Sequence, residues 1–162
     1  MEIYLLRHGI AEDAPAGQPD SERALTSDGR KKLRSVLRTA ASAGVAPSLI
    51  LASPYKRALQ TAQIAAEILE YKGDLLRTKA LEPSSAPKTV WDEIRVHKDE
   101  AGILLAGHEP LFSRLMAYLL GSPNLQVDFK KGAIACIELD RFPAEPHGVL
   151  RWILTPKLAA AG

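Results

Sequence analysis

Two histidines and two arginines are the residues of this sequence best suited to chemistry. Arg7 and His8 directly follow the first apolar run of the chain, and His108 follows the fourth. Arg57 lies one helical turn beyond Ser53, which follows the second apolar run. Arginine presents a rigid fork of donors that matches phosphate oxygens. A histidine among such donors can attack phosphorus and form a phosphohistidine intermediate. The set therefore predicts a phosphate pocket with a nucleophilic histidine.

Local features around these residues also favour an anion. Ser53-Pro54 is typical of a helix N-cap followed by proline at the first helical position, where free backbone N–H groups attract anions. Side chains of a helix point back toward its N-terminus, so Arg57 is expected to lean over the end of the preceding strand. Gly9 allows the backbone to turn tightly behind His8. We therefore expect a tetrahedral anion, such as phosphate, to bind where these strands end.

The hydrophobic pattern indicates the elements that position this set. Short apolar runs predict strands, and apolar residues three and four positions apart predict helices. The predicted strands cover residues 3–6, 49–52, 75–81, 103–106, 133–139 and 149–154. The predicted helices begin after Thr26 or Ser27, near Pro54, at Pro87 and at Pro110.

Alternating strands and helices indicate an α/β fold, with a mostly parallel sheet covered on both faces. The last two strands are close in sequence and are expected to form an antiparallel hairpin at one edge. Ligands bind beyond the carboxyl ends of the strands in such sheets. Three different strands would deliver His8, Arg57 and His108 to that edge. Residues 13–22, which contain Pro15, Gly17 and Pro19, are expected to form a loop.

Composition and charge narrow the class of protein. The chain has 162 residues and a net charge of +2, which gives no support for nucleic-acid binding. No apolar run approaches the roughly 18 residues needed to cross a bilayer. Glu2 and Arg7 within the first apolar stretch argue against a secretory signal. Cys136 is the only cysteine and cannot form an intrachain disulfide. We expect a cytoplasmic protein with a single domain over residues 1–162, and with no nucleic-acid or membrane partner.

Each candidate residue also has a structural explanation. His8 could be held by a carbonyl, His108 could only shape a turn, and Arg57 could be a solvated charge. We favour the functional interpretation because unrelated residues rarely fall on one edge after three separate strands. A metal site is not expected, since the ligand spacing of zinc or two-metal phosphatases is missing. His147, in a proline-rich turn, is expected to face solvent.

Three motifs in this order resemble a known family. Arg7-His8-Gly9 after the first strand resembles the Arg-His-Gly signature of the histidine phosphatase (phosphoglycerate mutase-like) superfamily. The stretch Ser-Pro-Tyr-Lys-Arg-Ala-Leu-Gln-Thr at residues 53–61 resembles its second motif, and Gly-His-Glu-Pro at residues 107–110 resembles its third. The Lys-Gly-Ala-Ile-Ala stretch at residues 131–135 and the short chain are similar to the SixA-type phosphohistidine phosphatases in particular.

The resemblance carries expectations about fold, cofactor and roles. It implies a three-layer α/β/α sandwich and a phosphatase that needs no metal or other cofactor. It also implies that His8 is the nucleophile that becomes phosphorylated. Arg7, Arg57 and His108 would bind the phosphoryl oxygens and stabilise the charge of the transition state. Ser53 would help to shape the phosphate pocket.

The central segment departs from the superfamily pattern. Many phosphomonoesterases of the superfamily carry an acidic proton donor there, and Glu82 lies near that place in a sequence that does not resemble the donor motif. A phosphoester needs its alkoxide leaving group protonated. The imidazole of a phosphohistidine leaves as a neutral ring once protonated, and imidazole titrates near neutral pH. We therefore expect the substrate to be a phosphohistidine on a phosphotransfer protein.

Two alternatives stay open. The protein could be a small-molecule phosphomonoesterase that uses Glu82 as a general acid. It could also be a non-catalytic phosphoprotein-binding module that retains the anion pocket. The short chain leaves little sequence for a lid over the pocket, which favours a protein substrate that docks its own surface around an open site.

Overall fold

The computed structural model describes residues 1–162 as one six-stranded sheet with helices on both of its faces. The strands are β1 (Glu2–Arg7), β2 (Leu49–Ala52), β3 (Leu75–Arg77), β4 (Gly102–Gly107), β5 (Ile134–Glu138) and β6 (Val149–Leu154). The helices are α1 (Ser27–Ser42), α2 (Lys56–Ile68), α3 (Pro87–Val96), α4 (Leu111–Leu119) and α5 (Pro156–Ala161). None of the helices combines the length and the apolar character that crossing a bilayer requires.

The strand order is β3-β2-β4-β1-β5-β6. The first four strands in this order run parallel to one another, whereas β5 runs antiparallel to β1 and β6 antiparallel to β5. The α/β fold with a mostly parallel sheet and an antiparallel hairpin at one edge is therefore confirmed. The two central strands, β4 and β1, are the ones that end in the histidine motifs.

The sheet is the middle layer of three. Along β1, Tyr4 and Leu6 pack with apolar side chains of α1 and α2, and Ile3 and Leu5 pack with those of α3 and α4. A strand buried on both faces needs a continuous apolar sequence, and β1 has one. The short helix α5 packs against α1. The three-layer α/β/α arrangement is thus confirmed.

Several predicted boundaries shift in the structure. The third predicted strand ends at Arg77, and residues 79–81 form a 3-10 turn because the Thr78 hydroxyl accepts the N–H of Ala80. The second helix was expected to begin near Pro54 but begins at Lys56, so the prediction of Ser53 as its N-cap is wrong. The helix α5 was missed. It has six residues, too few for a periodic pattern.

The start of α1 packs against the backbone that follows His8. The Thr26 hydroxyl caps the helix by accepting the N–H of Gly29 at 2.9 Å, and it donates to the carbonyl of Ile10. A Cβ on Gly29 would overlap that Ile10 carbonyl oxygen. Residues 13–22, which lie between β1 and α1, were expected to form a loop. This segment is irregular apart from a 3-10 turn at Asp20–Glu22.

Candidate active site

Strand register brings the two motif histidines together. Arg7 at the end of β1 pairs with Gly107 at the end of β4, so His8 and His108 leave the sheet side by side. Their ring centroids are 5.1 Å apart. The N–H of His8 also donates to the Gly107 carbonyl at 2.9 Å. Both side chains are buried, with 6% and 1% of their surfaces exposed.

Ser53 follows the neighbouring strand β2 and makes a hydrogen bond with His108. Its hydroxyl lies 2.8 Å from Nε2 of His108 and accepts the N–H of Tyr55 at 3.2 Å. The hydroxyl proton can be donated to Nε2, and the ring proton of a neutral His108 then lies on Nδ1. Ser53 thus contacts His108 from a fully buried position.

The tautomer of His8 is fixed by a hydrogen bond to a backbone carbonyl. Its Nδ1 lies 2.7 Å from the carbonyl oxygen of Gly9, which can only accept, so the proton lies on Nδ1. Nε2 therefore carries the lone pair. The Gly9 backbone is held in turn, because its N–H donates to the Thr61 hydroxyl at 3.2 Å and that hydroxyl donates to the Arg57 carbonyl at 2.7 Å.

Burial and neighbouring charges keep both rings neutral. Burial lowers the pKa of His8 to about 4; the hydrogen bond to Gly9 opposes this effect, and Arg57, Arg7 and Lys131 add to it. Burial likewise lowers the pKa of His108 to about 2, with further lowering by His8 and the two arginines. At neutral pH, Nε2 of His8 is therefore available as a nucleophile.

The two arginines are anchored at their outer nitrogens. Nη1 of Arg7 donates to the carbonyl of Phe129 at 2.6 Å. Arg57 donates from Nη1 to the carbonyl of Asp20 at 3.0 Å and from Nη2 to its carboxylate at 3.1 Å. The Arg57 guanidinium also lies 5.1 Å from the centroid of the Tyr55 ring. These contacts hold both guanidinium groups in place while their Nε atoms make no hydrogen bond within the protein.

Three buried donors without a partner gather in this region. Four buried side-chain polar atoms of the chain have no hydrogen-bond partner, and three of them are Nε of Arg7, Nε of Arg57 and Nδ1 of His108. A buried donor without an acceptor costs about 1–3 kcal/mol. A tetrahedral oxyanion would supply an acceptor to each of these N–H groups. The arrangement can therefore bind such an anion beside Nε2 of His8.

Apart from Asp20, no acidic side chain makes a hydrogen bond with the side chains of Arg7, His8, Arg57 or His108. Glu82 follows the 3-10 turn after β3 and is half-buried, and its hydrogen bonds are those of its backbone with Lys79 and Ser85. Glu109 accepts the N–H of Ser113 at the start of α4. No three His, Cys, Asp or Glu side chains lie together in a group that could hold a metal ion.

Three residues of the site were missed from the sequence. Thr61 lies four residues after Arg57, so helical spacing could have placed both on one face. Tyr55 packs edge-on against His108 with ring centroids 5.1 Å apart. Asp20 lies in the segment expected to be a loop, and no local pattern indicated that it would pair with Arg57. His147, which was expected to face solvent, is exposed.

Comparison with known proteins places the chain in a family. Residues 3–81 match the Histidine phosphatase superfamily (branch 1). An uncharacterised protein of Picosynechococcus sp. is 32% identical over 136 residues, which cover 83% of this chain and 82% of the relative. Phosphohistidine phosphatase SixA of Escherichia coli is 27% identical over 158 residues, or 96% of this chain and 94% of SixA. The chain belongs to the histidine phosphatase superfamily.

The fold of this histidine phosphatase agrees with that assignment. The structure of the protein histidine phosphatase SixA complexed with tungstate superposes with a TM-score of 0.86 and 27% identity, covering 97% of this chain and 98% of that one. The resemblance to the superfamily and to its SixA-type members, drawn from three short motifs, is confirmed. The family assignment supports phosphatase activity.

Proposed function

We propose that this histidine phosphatase removes the phosphoryl group from phosphohistidine on a protein, through a phosphohistidine intermediate on His8. One observation carries the proposal. A buried, neutral histidine with a free Nε2 stands beside three buried N–H donors that lack acceptors. The likeness to SixA over nearly the whole chain supports phosphohistidine as the substrate class.

Substrate binding would satisfy the three unpartnered donors. Nε of Arg7, Nε of Arg57 and Nδ1 of His108 would each donate to a phosphoryl oxygen. Tungstate, the ion held in the similar SixA structure, is a tetrahedral oxyanion like phosphate. Because the donors are already anchored and dehydrated, they would stabilise the charge on those oxygens in the transition state with little reorganisation.

The first chemical step would transfer the phosphoryl group to His8. The Nε2 lone pair attacks phosphorus, and the P–N bond of the substrate breaks. Its electron pair stays with the substrate imidazole, which leaves as a neutral ring when its other nitrogen carries a proton. Water then attacks the phosphorus on His8. The electrons of that second P–N bond return to Nε2, and inorganic phosphate leaves.

The sequence around Glu82 favours this substrate over a phosphoester. An alkoxide leaving group needs a proton donor. Glu82 lies near the place of that donor in the superfamily, but the residues around it do not resemble the donor motif. A phosphohistidine needs no such donor. The partner we propose is a phosphotransfer protein that bears a phosphohistidine, in a cytoplasmic signalling or sugar-transport relay. The reaction as written needs no metal ion.

A phosphate-release panel tests the proposal. The purified protein is given free phosphohistidine, a phosphohistidine peptide, an aryl phosphate and several sugar phosphates. We expect the two phosphohistidine compounds to have the highest kcat/KM. Better turnover of the sugar phosphates, together with loss of that activity in Glu82→Gln, would establish the phosphoester reaction instead.

Trapping of the phosphoenzyme tests the nucleophile. Radiolabelled phosphohistidine should label the wild-type protein at an acid-labile site, and His8→Asn should abolish the label while circular dichroism stays unchanged. His147→Asn, which removes an exposed histidine, is the matched control and should label normally. Absence of label and of phosphate release in the wild type would identify a binding module without catalysis.

A further inference from the structure

A basic cavity is lined by Arg7 and by residues that take no part in the reaction above. It has a volume of about 820 Å³ and opens between α1, the segment before β5, and α5. We call it the basic groove. Its charged lining residues are Arg7, Lys32, Asp128, Lys130, Lys131 and Lys157.

The basic groove concentrates the positive charge of the protein. Five of its charged residues are basic and one is acidic, whereas the whole chain carries only +2, so the rest of the surface is net negative. Lys32 and Lys130 form exposed ion pairs with Asp28 and Asp128. Such pairs are weak and exchange readily. Lys131 and Lys157 are exposed, and no carboxylate forms an ion pair with either of them.

The basic groove shares Arg7 with the proposed phosphate pocket. Arg7 belongs to both, since its Nε faces neither solvent nor any protein acceptor and its side chain lines the groove. Lys131 precedes Gly132, whose N–H donates to the carbonyl of His8 at 3.0 Å. Pro156 at the start of α5 packs close to Gly132 and forms the far wall. A chain that reaches His8 from the side of Arg7 would pass over these lysines.

We infer that the basic groove docks an acidic segment of the substrate protein, adjacent to its phosphorylated histidine. The inference rests on the proposed function and adds to it the feature that would select one protein over another. Lysines are compact point charges on flexible stems, which suit a set of carboxylates whose positions vary. Charge complementarity of this kind raises the encounter rate and the specificity of a complex. A small phosphoester would fill the phosphate pocket and leave the groove unused.

Charge reversal in the groove tests the inference. We compare the wild type with Lys32→Glu/Lys157→Glu, because these two lysines are exposed and make no contact with His8. The matched control, Lys72→Glu/Lys98→Glu, reverses two exposed lysines outside the groove. The substrates are free phosphohistidine and two phosphohistidine peptides of equal length, one with aspartates and one with asparagines around the histidine.

At low ionic strength the wild type should have a kcat/KM about tenfold higher for the aspartate peptide than for the asparagine peptide, mainly through a lower KM. Added salt should reduce this preference. The groove variant should lose the preference while hydrolysing free phosphohistidine at the wild-type rate. The control variant should keep it. A wild type that treats both peptides alike, or a groove variant that keeps the preference, overturns the docking inference while leaving the proposed function intact.

Direct binding separates failure of docking from failure of the proposed reaction. Fluorescence anisotropy with the unphosphorylated aspartate peptide reports on the groove even if no phosphohistidine is hydrolysed. Binding by the wild type and control, but not by the groove variant, supports docking. Equal binding of a single-stranded oligonucleotide of the same charge would show a general polyanion surface and would overturn the specific inference.

Discussion

The neutral state of His8 in the folded protein should appear as a pH dependence of stability. The folded pKa of about 4 lies below the ordinary value of 6.5 that the unfolded chain regains. In the window between these values the unfolded chain binds a proton that the folded chain does not. The free energy of unfolding is therefore highest above that window and falls as the pH falls through it.

The size of this effect follows from the shift. Each pKa unit corresponds to about 1.4 kcal/mol, so His8 alone should lower the free energy of unfolding by about 2 kcal/mol between about pH 7 and about pH 5. His108, whose pKa is lowered to about 2, acts in the same direction. Replacing His8 by glutamine removes one titrating ring and keeps a polar side chain of similar size.

The effect is measured by urea unfolding of the wild type and of His8→Gln at the two pH values. The buffer contains no phosphate, so that no bound anion stabilises the charged rings. The pH-dependent loss should be about 2 kcal/mol smaller in the variant. Carboxylates titrate alike in both proteins, so their contribution cancels in the comparison. His147→Gln, at an exposed position, should behave like the wild type. An equal loss in His8→Gln and in the wild type would refute the claim that His8 is held neutral by burial.

Three further outcomes are expected. Ser53→Ala removes the hydroxyl that contacts Nε2 of His108. It should lower kcat/KM for phosphohistidine by about 10- to 100-fold, which corresponds to about 1–3 kcal/mol, while the circular dichroism spectrum stays unchanged; wild-type turnover would contradict this role. Gly29→Ala places a Cβ against the Ile10 carbonyl and should lower the free energy of unfolding by about 1–3 kcal/mol, measured by urea; a neutral effect would contradict the close packing. Phosphate at about ten times its Kd should raise the free energy of unfolding of the wild type by about 1.4 kcal/mol. Thermal unfolding should show a much smaller increase for Arg57→Gln; an equal increase would contradict the anion site.

Much of the site could be predicted because it depends on strand ends. Apolar runs identify the strands of a parallel sheet, and the residue after each run must lie at the same edge. His8, Ser53 and His108 were placed correctly by this argument alone. The prediction did not require the register, although the pairing of Arg7 with Gly107 explains why the two rings end up adjacent.

The contacts that orient these residues could not be predicted. Arg7 is anchored by the carbonyl of Phe129, 122 positions away, and any residue type could supply that carbonyl. The pairing of Arg57 with Asp20 depends on the path of an irregular segment. Ser53 was assigned a helix cap because local propensity favours it there. In the structure its hydroxyl is instead used by His108, a tertiary contact that the local sequence does not encode.

The hydrogen bonds between Asp20 and Arg57 affect how the substrate range of this protein can be changed. Both the backbone and the carboxylate of Asp20 orient the Arg57 guanidinium. In the reaction proposed above, the placement of the phosphate would therefore depend on the length of the connection between β1 and α1. Insertions or deletions there would retune affinity for the anion without altering any group that touches it. Libraries built to redirect this phosphatase should therefore vary that connection as well as the walls of the pocket.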